Sequence, residues 1–163
     1  MAVISHEPAG TAGPSGARLV ARHAELQQVL DQWADVLAAA AARGDPIRPA
    51  KILLRVFIAD EILPHARAEE RTLYRAAQRD PDAALLVQAL IREHRELALQ
   101  VERLAAQVQP AAVAATAGAI SALFASHVAK ENDLLLPALE RSGADVPRLI
   151  AREGRLAGLS SAA

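Results

Sequence analysis

Cysteine is absent from this 163-residue chain, and aromatic residues make up only 2% of it: Trp33, Phe57, Tyr74 and Phe124. Without thiols there is no disulfide framework, no thiolate zinc site, no iron–sulfur cluster and no cysteine nucleophile. The scarcity of aromatic and β-branched residues argues against an extensive sheet. Neither sign of charge dominates. The 18 basic and 19 acidic residues give a formal net charge of −1, which leaves no electrostatic footprint for nucleic acid or an anionic membrane. Also missing are a His-Glu-x-x-His zinc-protease helix, a Gly-rich phosphate loop and a nucleophile elbow. What the chain has instead is alanine, 39 residues of 163, mixed with leucine, arginine and glutamate, a composition that favours helix. The length is that of one domain.

Residues 1–16 are rich in Gly, Pro, Ala and Ser and lack the basic start and apolar core of a signal peptide. They read as a disordered leader on a cytoplasmic protein, with His6 idle within it. The stretch from Leu104 to Ala129 carries no charge and is long enough to span a bilayer. It is, however, interrupted by Gln107, Gln109, Pro110, Ser121, Ser126 and His127, and no aromatic belt or basic flank frames it. A turn at Pro110 followed by a buried helix, with no membrane partner, is the better reading.

Turn signals at 43–46, 79–82, 109–110 and 142–143 divide the remainder into four segments of bundle-helix length. The expected fold is all-α: an antiparallel up-down four-helix bundle over residues 17–142. A short C-terminal helix and tail would follow over residues 143–163. The apolar period supports this, because residues recur at steps of three and four, as seams that face a bundle core do. The first seam runs Leu19, His23, Leu26, Leu30, Trp33, Leu37. The second runs Leu54, Ile58, Ile62, His65, Glu69, Leu73, Ala76, with Pro64 expected to kink its helix. The third is Val87, Leu90, His94, Leu97, Val101, Leu104, Val108. The fourth is Val113, Ala117, Ile120, Phe124, His127, Glu131, Leu134, Ala138.

Polar residues therefore stand in all four core seams: His23, His65 with Glu69, His94, and His127 with Glu131. Burying two unpaired carboxylates together would cost several kcal/mol each, and no arginine or lysine shares the seams to neutralise them. A bound cation resolves this. His65/Glu69 and His127/Glu131 are i,i+4 pairs, so both members of each pair leave one helix face together. Chance predicts roughly 0.3 such His-x-x-x-Glu pairs in a chain of this composition, and two occur. Imidazole with carboxylate suits iron or manganese, with zinc as a further possibility. Four histidines and two glutamates are too few for two separate closed sites. They suit two metals bridged by Glu69 and Glu131, with oxide or hydroxide bridges, or a further carboxylate, completing the charge balance. Glu-x-x-His, the pair that marks ferritin-like di-iron bundles, does not occur.

At these residues the sequence resembles the hemerythrin-like (HHE cation-binding) domain family, whose pattern runs H, HxxxE, H, HxxxE along four helices. Here it is His23, HARAE (65–69), His94 within IREHREL, and HVAKE (127–131). EERTLY (69–74) and ENDLLLPAL (131–139) look like the family's flanking segments, and the resemblance spans about residues 17–140. It implies a non-haem di-iron centre held by His23, His65, Glu69, His94, His127 and Glu131. The O2-carrying members have a second histidine one turn away on the third helix, where this chain has Leu90 or Ala98. They also have an aspartate where this chain has Asn132. The resemblance is thus to the histidine-poorer subgroup, which implies reaction with O2 or peroxide, including catalase-like turnover. A non-enzymatic module that senses, binds or stores iron, O2 or NO is the alternative. Around this set, Glu70 offers a further carboxylate ligand or a surface charge, and Glu61 could orient the free ring nitrogen of His65 or face solvent. Tyr74 could reach the bundle interior near the site, with ordinary packing as the default.

Overall fold

The structure, a computed structural model, describes residues 16–158. Residues 1–15 of the leader expected over 1–16, with His6, and the last five residues of the tail lie outside the described residues. The chain runs α1 (Ala17–Arg43), α2 (Arg48–Phe57), a π-helical turn (Ile58–Ile62), α3 (Leu63–Arg71), α4 (Leu73–Ala77) and α5 (Pro81–Ala106). It continues with α6 (Pro110–Lys130), a second π turn (Glu131–Leu135), α7 (Leu136–Arg141) and α8 (Val146–Leu156). No strand occurs among the described residues. The architecture is the expected all-α bundle, with α1, α2–α4, α5 and α6–α7 as its four rods. α1 packs on α2 and α6, and α5 packs on α6 and on α2 through α4. Side-chain pairs show the antiparallel order: His23 meets Asn132 while Gln27 meets Ser121, and His94 meets His127 while Gln107 meets Thr116.

Local chemistry sets the ends. α1 stops at Gly44, which takes a left-handed φ of 74° and returns its N–H to the carbonyls of Ala40 and Ala41. Asp80 caps α5 by accepting from the Asp82 N–H at 3.0 Å, and Pro81 occupies the first turn, where no donor is needed. The segment from Pro110 to Arg141 is long and apolar enough to cross a membrane, and 44% of its most apolar window is buried inside the bundle.

The second rod departs from the expected single kinked helix. Pro64 has no N–H for the carbonyl four residues back, and its ring would strike that carbonyl. The chain accommodates it by widening into the π turn ahead of Pro64, where the Leu63 N–H reaches the Ile58 carbonyl. Pro137 does the same to the fourth rod, where the Leu136 N–H reaches Glu131. The added residue moves the seam: Leu135 is buried and Leu134 is 47% exposed, the reverse of the period-based expectation. A second break follows at Thr72 (φ −122°, ψ −83°), whose hydroxyl donates to the Ala68 carbonyl at 2.7 Å. Beyond it Tyr74 and Ala77 are buried in place of Ala76. Val108, expected in the third seam, is 80% exposed, because α5 ends at Ala106 and Gln107 is extended ahead of Pro110.

The interior consists of two apolar clusters. One gathers Leu26, Leu30, Leu54, Ile62, Leu97 and Phe124; the other gathers Leu19, Leu73, Tyr74, Leu90, Leu135 and Ile150. Between them lies a polar layer.

Candidate metal centre

In every rod the polar residues fall between members of the two clusters. His23 stands between Leu19 and Leu26, and His65 with Glu69 between Ile62 and Leu73. His94 stands between Leu90 and Leu97, and His127 with Glu131 between Phe124 and Leu135. All six side chains are buried, none more than 6% exposed. They form two groups in which each residue offers one ligand atom within 4.8 Å of the others: His23, His65 and Glu69; and Glu69, His94, His127 and Glu131. Glu69 belongs to both. Its Oε1 lies 3.1 Å from the Nε2 atoms of His23 and His65, and its Oε2 lies 3.6 Å from His94 Nε2. Glu131 Oε2 lies 3.5 Å from the Nε2 atoms of both His23 and His127.

The outward nitrogen of each imidazole is engaged. His23 Nδ1 meets Asn132 Oδ1 at 2.8 Å, and His65 Nδ1 meets Glu153 Oε1 at 2.9 Å. His94 Nδ1 meets Glu70 Oε1 at 2.9 Å, and His127 Nδ1 meets Glu93 Oε2 at 3.0 Å. Every one of these partners is an oxygen acceptor, so Nδ1 carries the proton and Nε2 is left to the centre. Glu93 is in turn held by Lys130.

The two flanking glutamates are placed differently. Glu70 does not enter either donor group; it orients His94 from a partly exposed position. Glu61 does not reach His65; it pairs with Arg22, and the His65 partner is Glu153 on α8. The period-based reading misses Glu93, Asn132 and Glu153 as partners. Glu93 and Asn132 each adjoin a seam residue. The steps of four and three from Val146 to Ile150 to Glu153 are the signal that would have put Glu153 on a buried face. Tyr74 is part of the site rather than mere packing. Its hydroxyl donates to Glu131 Oε1 at 2.6 Å and lies 3.3 Å from the Nε2 atoms of His94 and His127. The Thr72 break puts it there, because an unbroken helix would carry Ala76 in that seam.

The charges are strongly coupled. Burial works against a charged His65, but Glu69 and then Glu153 outweigh it and push the imidazole up to about 10. His127 is likewise buried, yet Glu131, Glu69 and Glu93 raise it to about 9. Burial opposes ionisation of Glu69, and His65, His23 and His94 hold it well below the ordinary carboxylate range. Tyr74 is raised by burial and by Glu131 and Glu69, so it stays a neutral donor.

Three observations show that the donor set fits a metal ion. His65 Nε2 and Glu131 Oε2 are buried without a hydrogen-bond partner. The Nε2 atoms of His94 and His127 approach to 3.0 Å. With both Nδ1 protons directed outward, two lone pairs would face each other unless a cation or a proton lay between them. Imidazole and carboxylate together suit iron, manganese or zinc.

A model of the hemerythrin HHE cation-binding domain matches residues 16–139. The chain belongs to the hemerythrin HHE cation-binding domain family. All six core donors lie within the matched span, whereas α8 lies beyond it. No curated protein and no solved structure matches the chain. Of the slots for a further family histidine, Leu90 is fully buried in the apolar cluster, and Ala98 offers no donor. Asn132 points to His23 rather than into the donor groups. The buried donor cluster of this chain therefore consists of four imidazoles and two carboxylates with a phenol beside them.

Proposed function

We propose that this chain is a non-haem di-iron protein that reacts with O2 or peroxide. The observation that carries the reading is Glu69, a buried carboxylate shared by two donor groups, as the bridge of a two-metal site must be. His23 and His65 would hold one ion, His94 and His127 the other, with Glu69 and Glu131 between them. Two iron ions would supply Lewis acidity and reversible electron transfer to a small oxidant. The chain's own residues supply the rest. Four imidazoles are fixed by their Nδ1 partners, apolar clusters above and below exclude bulk water, and Tyr74 presents a hydroxyl proton at Glu131 Oε1.

Protein expressed with iron should contain about two ions per chain. Glu69→Ala should remove both, since both groups lose a donor. Steady O2 evolution from added peroxide, abolished in Glu69→Ala, supports turnover. Oxidation to a stable product without turnover would instead favour a sensing or storage module. A folded, metal-free product from iron-rich expression would overturn the reading.

A further inference from the structure

The hemerythrin-family match ends at residue 139, yet one of the most deeply buried carboxylates of the chain lies beyond it. Glu153 on α8 is 2% exposed, and its Oε1 accepts from His65 Nδ1 at 2.9 Å. α8 is built to deliver it. Asp145 caps the helix by accepting from the Arg148 N–H at 3.1 Å, and Pro147 sits in the first turn. Val146 and Ile150 bury the same face in the apolar cluster that holds Leu19, Leu73 and Leu135. The helix packs against α3, α4 and α7, so the face that ends in Glu153 lies directly on the helix that carries His65 and Glu69.

A buried carboxylate here has no structural need that glutamine or leucine would not meet more cheaply. No arginine or lysine pairs with Glu153 among the described residues; the His65 imidazole is its partner. The other three imidazoles are oriented from rods of the bundle itself, by Asn132, Glu70 and Glu93. His65 alone depends on a helix outside it.

We propose that Glu153 is a positioning residue of the metal centre, and that α8 is a working part of that centre rather than an appendage to the bundle. Accepting the Nδ1 proton fixes the tautomer and ring plane of His65, keeps Nε2 directed at Glu69, and makes that nitrogen a better donor. The effect is local. The group of His23, His65 and Glu69 depends on α8, whereas the polar partners of His94, His127 and Glu131 all lie on the bundle rods. The two ions are therefore held unequally, and the α8-dependent one is the more easily lost when Glu153 changes. This inference rests on the metal reading above and goes beyond it.

The test is a titration of the full-length metal-free protein with Co(II), followed by visible absorption and calorimetry. Wild type should bind two ions per chain. Glu153→Gln keeps the size and an acceptor oxygen but removes the charge, and should weaken one of the two ions about tenfold. Glu153→Ala removes the acceptor as well and should weaken the same ion about a hundredfold, with the other unchanged. The absorption bands of the weakened ion should shift in Glu153→Gln while helicity and melting temperature hold, which separates positioning from packing. Exposed Arg152→Gln on the same helix should behave as wild type. If Glu153→Gln and Glu153→Ala bind both ions as wild type does, or weaken both equally, the proposal is refuted while the metal reading stands. Wild-type protein that takes up no Co(II) refutes both.

Discussion

Protons and metal ions compete for the same nitrogens in this centre, and the competition has a measurable size. At pH 7 the imidazoles of His65 and His127, raised to about 10 and about 9, both carry a proton in the metal-free protein. Glu69 is already ionised and has none to give, and Tyr74 keeps its own. A ligating Nε2 must be bare, so loading with a divalent ion at pH 7 should expel about two protons per chain. Displacing a proton held three pH units above ambient opposes binding by about 4 kcal/mol, and one held two units above by about 3 kcal/mol. Apparent affinity should therefore rise about tenfold per pH unit for each proton displaced, flattening above pH 9 as His127 empties and above pH 10 as His65 does. Isothermal titration in buffers of different ionisation enthalpy measures the proton count directly. Release of less than about half a proton per chain, or an affinity flat between pH 7 and 8.5, would refute the reasoning.

The same shifts govern the stability of the metal-free chain. His65 and His127 have folded values above the unfolded 6.5, so their stabilisation is complete below pH 6.5 and is lost as pH rises toward 9 and 10. Glu69 lies below its unfolded 4.5, so its contribution holds above that pH and is lost on acidification. Thermal melts in chelator should peak between about pH 5 and 6.5 and fall on the alkaline side; a melting temperature that climbs from pH 7 to 9.5 would contradict this. Tyr74→Phe leaves Oε1 of Glu131 buried without its donor, a loss of about 2 kcal/mol, or roughly 4–8 °C in melting temperature for a chain of this size. An unchanged melt by circular dichroism would show that the hydroxyl does not matter to the fold.

The six central residues were legible because helical period is a long-range ruler. Leu19, His23 and Leu26, or Leu90, His94 and Leu97, need only 3.6 residues per turn to fall on one face. That ruler failed where the helix itself changed gauge. The π turn at Pro137 and the break at Thr72 each shift the seam by a residue, exposing Leu134 and turning Tyr74 inward, whereas the expected positions on both sides of Pro64 stay buried. Proline alone predicts a kink, but whether the chain answers by bending or by widening depends on what packs around it. The outer partners were less legible still. Glu153 reaches His65 across 88 residues of sequence, a pairing that no local pattern encodes. Glu61, one turn from His65 along its own helix, faces Arg22 instead.

The polar layer between the two apolar clusters also bears on how the molecule holds together. Neither cluster shares a side chain with the other, so each end of the bundle has a core of its own. Mutations in the two cores, Leu30→Ala at one end and Leu136→Ala at the other, are separated by the layer and are of the kind whose effects add. The six donors come from all four rods and lie between the two cores, each of which also draws on every rod. A cation seated there would act as a rivet through all four rods, stabilising both cores at once by the free energy of its own binding.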